Sequence, residues 1–189
     1  MKKCCKLWPL FFLMLTGCMN ATVTGAQAAY GRHSLQNSIN DQCVNLRADH
    51  AIHWDTDHFK DMNISVATFN NIVLITGQVP NQTLHDELTK RVKDVARIDE
   101  IYNQTTIGTS ASTITHMSDA WITTKIKSLL IANNDIDPSQ IKVITENGTV
   151  FLMGIVPPEQ ADSAIEIARG TSGVQQVIKV FSYIHISKT

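Results

Sequence analysis

The sequence predicts an α+β protein built from two copies of one small domain. Residues 66–82 (VATFNNIVLITGQVPNQ) match residues 143–159 (VITENGTVFLMGIVPPE) at a constant offset of 77 positions. Around each segment the apolar residues change between helical and strand spacing in the order α-β-β-α-β. Three strands and two helices per copy predict a two-layer sandwich, with the helices on one face of a small three-stranded mixed sheet.

The first helix is clearest in the second copy. Ser118 is a candidate N-cap residue, and Ile122, Ile126, Leu129 and Leu130 follow it at helical spacing. We therefore expect a helix over residues 119–132, with Ile122, Ile126 and Leu129 as its core stripe.

A short turn signal follows in both copies. Asn147-Gly148 separates two apolar runs and predicts a type I′ hairpin turn, because both central positions of that turn need a positive φ. The first copy has Asn70-Asn71 in the same place. The other expected elements are strands over 141–145, 150–156 and 177–186, a helix opened by Pro157-Pro158, and, in the first copy, a helix over 41–53, strands over 64–68, 72–79 and 100–107, and a helix striped by Leu84, Leu88, Val92 and Val95.

The first eighteen residues have the pattern of an export signal. Three lysines among the first six residues precede an apolar run over 7–15, which is shorter than the about 20 residues that a membrane-spanning helix needs. Residues 15–18 (LTGC) resemble the lipobox of bacterial lipoproteins; the alternative is an ordinary signal peptide with an incidental cysteine. The resemblance implies that Cys18 is lipidated and that residues 1–17 are removed. Met19, in place of an aspartate, resembles lipoproteins that are sorted to the outer membrane.

The expected organisation is therefore a signal peptide at 1–17, a lipid-anchored tether at 18–38, a first domain at 39–108, a linker at 109–116 and a second domain at 117–187. Removing the signal takes away three lysines, which leaves 13 basic and 17 acidic residues and a net charge of −4. Such a chain lacks the dense basic footprint of generic nucleic-acid binding. Cys43 is then the one remaining free thiol, so we expect no intramolecular disulfide and interpret Cys43 as a small buried residue on a helix.

Several short motifs carry a specific family resemblance. Residues 119–127 (DAWITTKIK), 145–148 (TENG), 150–154 (VFLMG) and 172–174 (SGV) resemble the second BON domain of dual BON-domain outer-membrane lipoproteins of the DolP type. The first copy resembles a BON domain less closely. The resemblance implies a non-enzymatic protein anchored on the periplasmic face of the outer membrane. It also implies binding of anionic phospholipids (phosphatidylglycerol, cardiolipin), envelope integrity, division-site localisation and a link to the outer-membrane β-barrel assembly machinery.

The resemblance places lipid contact on the first helix of the second domain, at Trp121. Trp121, Lys125 and Ser128 each precede a residue of the expected core stripe by one position, so they flank it. An indole beside an ammonium group suits the headgroup level of a membrane. Lys127 adds a second cation, each being worth about 1 kcal/mol near an anionic surface. These four residues are the candidate lipid-binding site; the alternative is that Trp121 packs on the domain edge or against the first domain.

Enzymatic interpretations find little support in the sequence. His50, His53, Asp55, Asp57 and His58 have some metal-like spacing, but exposed histidines near a helix end are the commoner case, so we predict no metal site, cofactor or catalytic residue. The mid-strand glycines of the two copies are interpreted as marking a bulge or a close helix approach. Two functions remain: a lipid-binding module, or a periplasmic protein-interaction or osmotic or envelope-stress module whose lipid is only a tether.

Overall fold

The computed structural model describes residues 25–54, 59, 62–95, 97–108 and 112–183, with side chains from Asn37 onward. The predicted signal peptide and Cys18 therefore lie outside the described residues. Within the described part of the chain, no helix combines the length and apolar character that crossing a membrane requires. The described residues from Gln36 onward belong to one compact unit that contains both predicted domains.

The observed order of elements confirms the predicted duplication. The first domain contains α1 (Gly25–His53), β1 (Ile64–Phe69), β2 (Ile72–Val79), α2 (Gln82–Lys93), β3 (Glu100–Asn103) and β4 (Thr106–Ile107). The second contains α3 (Thr113–Ala132), a short 3-10 turn (Pro138–Gln140), β5 (Ile141–Glu146), β6 (Thr149–Val156), α4 (Pro158–Arg169) and β7 (Gln176–Tyr183). Both sheets are mixed: β2 pairs antiparallel with β1 and parallel with β3 and β4, and β6 pairs antiparallel with β5 and parallel with β7.

The last strand of the first domain differs from the prediction. A single strand was expected over 100–107, but the chain divides it into β3 and β4. The Asn103 side-chain oxygen accepts a hydrogen bond from the backbone N–H of Thr105 (3.1 Å) and another from its hydroxyl (2.7 Å). This local turn interrupts the ladder with β2, because asparagine readily bonds to the backbone two residues later.

Both hairpin turns have the predicted backbone. Asn147 and Gly148 have φ values of 49° and 72°, and Asn70 and Asn71 have values of 48° and 62°. Two consecutive positive φ values are what a type I′ turn requires, so the turn prediction is confirmed.

An aspartate on the first helix of each domain holds the hairpin turn. The Asp119 carboxylate accepts the backbone N–H groups of Asn147 (2.7 Å) and Gly148 (2.9 Å). Asp41 accepts the two corresponding N–H groups of the first domain at 2.7 and 2.9 Å. Hydrogen bonds to a charged acceptor are strong, so this contact fixes each helix against its hairpin.

Both first helices begin earlier than the sequence predicted. The structure starts α3 at Thr113, where the Ser112 side chain accepts the N–H of Thr115, so Ser118 is not the N-cap and part of the expected linker is helical. Helix α1 begins at Gly25 instead of residue 41. The apolar stripe locates only the turns that pack on the sheet, and turns 113–118 of α3 do not.

Three apolar clusters define the layers of the molecule. One lies between α1, α2 and the first sheet, and another lies between α3, α4 and the second sheet. The third joins the two sheets face to face, with Ile72, Leu74, Phe151, Met153 and Val180 at its centre. Each domain is thus the predicted two-layer sandwich, and the two pack as helices, sheet, sheet and helices. The α1–α2 layer and the α3–α4 layer are the two opposite outer faces.

Two side-chain placements correct the prediction. On α3 the third core residue is Leu130, while Leu129 is 37% exposed. On α1 the residues packed on the sheet are Val44, Ala48 and Ile52, and Cys43 lies on the exposed side. Cys43 is therefore not the buried residue that was expected.

Each mid-strand glycine leaves room for a nearby backbone carbonyl group, not for the close approach of a packed α-helix. A Cβ on Gly77 would overlap the carbonyl oxygen of Asn63, and a Cβ on Gly154 would overlap that of Gln140. In both domains the chain passes this close as it enters the first strand of the sheet. Gly77 also has a φ of 124°, which side-chain-bearing residues rarely adopt.

Candidate functional site

Helix α3 is apolar on two opposite faces. Its inner face is buried through Ile122, Ile126 and Leu130 and carries the Asp119 carboxylate. At about 100° per residue, a second row of large apolar side chains falls on the opposite side of the helix. This row, called the α3 ridge, consists of Ile114 (80% exposed), Met117 (70%), Trp121 (55%) and Ile131 (69%).

A ridge of this kind is unusual on the outside of a domain. The outward face of a surface helix is normally polar. Single exposed apolar residues need no explanation, but a contiguous row of them marks a site of interaction. Ile114, Met117 and Trp121 are spaced by three and four residues, so these three stand one turn apart, and Ile131 lies ten residues, about 15 Å, beyond Trp121.

The two hydroxyl residues in the gap of the ridge are bonded to the helix itself. The Thr124 hydroxyl donates to the Ala120 carbonyl oxygen at 2.8 Å, and the Ser128 hydroxyl donates to the Thr124 carbonyl oxygen at 2.9 Å. Both hydroxyl donors are therefore satisfied within the helix. Moving this surface out of water leaves no hydroxyl proton without a partner, which reduces the cost of desolvation.

The charge on the outside of α3 is positive. Lys125 and Lys127 are exposed and lie on either side of the ridge. The single carboxylate of this helix, Asp119, is buried and is used to hold the hairpin turn. The outer surface of α3 thus combines an apolar row with two cations and no acidic side chain of its own, although the sequence as a whole has a net charge of −1.

A third lysine lies behind this surface, between the two domains. Lys142 on β5 donates from Nζ to the backbone oxygen of Thr68 on β1 at 2.9 Å. Burial lowers the pKa of Lys142 below 10.5, the nearby Lys127 lowers it further, and Asp41 opposes the shift. A second polar link joins Gln78 to Glu146 at 2.8 Å. These contacts fix the second domain against the first and therefore fix where α3 faces.

The structure places the four predicted lipid-binding residues on or beside this surface. Trp121 is a ridge residue, Ser128 lies between ridge residues, and Lys125 and Lys127 flank the row. Trp121 and Ser128 face away from the core and the two lysines lie at the sides of the helix, whereas the sequence placed Trp121, Lys125 and Ser128 on a flank of the core stripe. The missed ridge residues are Ile131, which lies inside the expected helix but was not singled out, and Ile114 and Met117, because residues 109–116 were assigned to a linker and residue 117 was placed before the helix. Their helical spacing to Trp121 was the available signal.

The structure describes two members of the predicted histidine cluster, His50 and His53. His50 stacks on Trp54, with the ring centroids 5.3 Å apart and the planes 9° from parallel. His53 lies with Nε2 3.7 Å from the Asp49 carboxylate. Asp55, Asp57 and His58 lie outside the described residues. Among those described, no three potential ligands come together to hold a metal ion.

Comparison with known proteins adds a family and several relatives. Residues 46–109 and 118–184 each match the BON domain. The chain is 34% identical over 176 residues to the outer membrane lipoprotein DolP of Haemophilus influenzae, covering 91% of both chains. It is 36% identical over 151 residues to a 21 kDa hemolysin of Actinobacillus pleuropneumoniae, covering 80% of this chain and 78% of that protein. It is also 28% identical over 165 residues to the osmotically-inducible protein Y of Escherichia coli, covering 84% and 82%.

Proposed function

Because the chain belongs to the family of BON-domain proteins, we propose that it is a non-enzymatic outer-membrane lipoprotein that binds anionic phospholipid through the α3 ridge. The observation that carries this proposal is the row of exposed apolar side chains on α3 between Lys125 and Lys127. The similarity to the outer membrane lipoprotein of Haemophilus influenzae supports the proposed location of the protein in the outer membrane. The lipobox-like residues 15–18 supply the anchor, with acyl chains on Cys18 holding the protein on the periplasmic face of the membrane.

The expected binding energies suit a surface that selects lipid headgroups, not one that anchors the protein unaided. Full burial of a side chain of this size is worth about 1.5–3 kcal/mol, so partial insertion of the four ridge residues contributes on the order of a few kcal/mol. Each lysine adds about 1 kcal/mol near an anionic surface. Once acyl chains already hold the protein at the bilayer, the effective concentration of lipid at α3 is high. Weak contacts then decide which headgroups surround the protein.

The direct test is vesicle binding by residues 19–189, which lack Cys18, with Trp54 changed to Phe. Trp121 is then the only tryptophan in the protein. We expect a blue shift of its fluorescence and co-sedimentation with phosphatidylglycerol or cardiolipin vesicles, but not with phosphatidylcholine vesicles. Binding should weaken in Trp121→Ala. The matched control is Ile107→Ala on β4 of the first domain, which removes an apolar side chain that is 57% exposed, close to the 55% of Trp121, and should leave binding unchanged.

The second candidate function is a periplasmic protein-interaction or envelope-stress module that lipid only tethers. The similarity to the osmotically-inducible protein of Escherichia coli favours it. In that case Trp121 fluorescence would not shift on any vesicle, and Trp121→Ala and Ile107→Ala would behave alike. The search would then turn to protein partners of α3.

The cellular roles proposed for this protein are envelope integrity, localisation to the division site and support of the β-barrel assembly machinery. We expect localisation to the division site to depend on lipid binding by α3, because headgroup composition differs between regions of a membrane. A fluorescent fusion carrying Trp121→Ala should remain in the outer membrane but lose its enrichment at the septum. Unchanged enrichment would separate septal localisation from lipid binding and would refute this order of events.

A further inference from the structure

Helix α1 carries a second outward row of side chains, here called the α1 seam. It consists of Ile39, Cys43, Leu46 and His50, at spacings of four, three and four residues. All four side chains are exposed, Ile39 and Leu46 by more than half, and they lie opposite the buried face of the helix. Alternating spacings of three and four residues are the pattern by which two helices interlock side by side.

The α1 seam corresponds to the α3 ridge but differs from it in charge. At an offset of 78 positions, Cys43 takes the place of Trp121, and Ile39 takes the place of Met117. The lysine pair beside the α3 ridge is replaced by Arg47 and Asp49, which cancel each other. The seam therefore lacks the lysine pair that favours an anionic lipid surface, and its exposed Ile39, Cys43 and Leu46 suit a protein surface instead.

The two charges make the seam complementary to itself in one orientation. Arg47 and Asp49 are exposed and lie on opposite flanks of the seam. When two copies of α1 pack in parallel around a twofold axis along the helices, the Arg47 flank of one copy faces the Asp49 flank of the other. In an antiparallel pair, like charges would share a flank. Charge thus selects the parallel arrangement.

The lipid anchor favours the same orientation; this step rests on the anchoring that is part of the proposed function. Six residues separate Cys18 from the start of α1 at Gly25, a reach of about 20–25 Å when extended. Two copies anchored in one leaflet therefore start their α1 helices at similar heights. A contact over a few helical turns is smaller than a stable interface requires. Confinement of both copies to one membrane raises their effective concentration and offsets that deficit.

We propose that the α1 seam is a contact between two copies of this chain, formed by parallel α1 helices on the same membrane. The contact is non-covalent, with Leu46 and Ile39 packing on their counterparts and Cys43 facing Cys43. It lies in the outer layer opposite the α3 ridge, so pairing leaves both ridges uncovered but turns them in opposite directions, and one flat bilayer can contact only one ridge of a pair at a time.

The test uses the mature lipoprotein in proteoliposomes and a short bismaleimide, which joins two thiols without an oxidant. The native Cys43 should crosslink to a dimer. In a Cys43→Ser background, Leu46→Cys should also crosslink, and so should Ile39→Cys. The matched control is Ser38→Cys, which is exposed on the same helix but off the seam. We expect the seam positions to crosslink about tenfold faster or more, because only they are held close together.

Two further variants separate pairing from folding and from lipid binding. Leu46→Glu in the native background should reduce crosslinking through Cys43 to the Ser38→Cys rate, with an unchanged circular dichroism melt because Leu46 is exposed. Trp121→Ala should not reduce crosslinking even where it abolishes vesicle binding. Equal rates at Cys43 and Ser38→Cys, or no effect of Leu46→Glu, would refute the pairing. Crosslinking at only one of Ile39→Cys and Leu46→Cys would refute the parallel orientation.

Discussion

Replacing Asp119 with alanine should destabilise the second domain more than any surface change on α3. The carboxylate is 5% exposed and accepts two backbone N–H groups, at 2.7 Å from Asn147 and 2.9 Å from Gly148. A hydrogen bond to a charged group contributes about 1.5–3 kcal/mol. Losing both bonds and leaving the N–H group of Gly148 buried without a partner should cost about 3–5 kcal/mol. For a chain of this size that lowers the melting temperature by about 10 °C.

The assay is thermal unfolding followed by far-ultraviolet circular dichroism, with two comparison variants. Asp41→Ala breaks the same pair of bonds in the first domain, but Asp41 is only half-buried, so the loss should be smaller. Asp162→Ala removes an exposed carboxylate from α4 and should change stability by less than about 0.5 kcal/mol. If Asp119→Ala melts within a degree or two of Asp162→Ala, the contact between helix and turn contributes little to the stability of the second domain.

Three other outcomes follow from single contacts. Gly154→Ala should destabilise the second sheet, because its Cβ would overlap the Gln140 carbonyl oxygen, whereas Gly170→Ala at the end of α4 has room and should be neutral in the same melts. The pKa of Lys142 is lowered in the folded protein, so the unfolded chain binds the proton of this lysine more tightly. The wild type should therefore gain stability relative to Lys142→Met as the pH rises from neutral towards 10.5. The difference in melting temperature between the two proteins measures this gain. Met117→Ser should weaken binding to phosphatidylglycerol vesicles about fivefold, through the loss of about 1 kcal/mol, with no change in melting temperature.

The elements that pack against a sheet could be predicted from the sequence because burial leaves a periodic pattern. Val44, Ala48 and Ile52 mark the inner face of α1 in the same way that Ile122 and Ile126 mark that of α3. The third core residue of α3 was misassigned because Leu129 and Leu130 are adjacent leucines, and periodicity alone does not separate two such neighbours. The early starts of both helices were missed for the opposite reason. Turns that contact no core carry no core pattern.

The packing of one sheet on the other was left open, although the sequence contains a signal for it. Strand β2 (IVLITGQV) is buried along its whole length, and β6 (TVFLMGIV) is buried at most of its positions. A strand covered on one face alternates between apolar and polar residues, whereas a strand covered on both faces is apolar almost throughout. The second faces of these strands therefore had to be covered. What the sequence does not give is the partner, since a helix would bury Leu74 or Met153 as well as a second sheet does.

The two outer faces follow from the way the first helices are held. In each domain the inner face alone attaches the helix to its sheet, through the apolar stripe and through Asp41 or Asp119 at the hairpin turn. The outer face makes no contribution to this attachment, so its composition is not set by the fold. The outer faces of the two copies differ in charge. Two lysines lie beside the α3 ridge, whereas the opposite charges of Arg47 and Asp49 cancel beside the α1 seam. Since both rows carry exposed apolar side chains, charge is what distinguishes a surface suited to anionic lipid from one suited to protein, and this difference supports the proposal that lipid binding lies in the second domain.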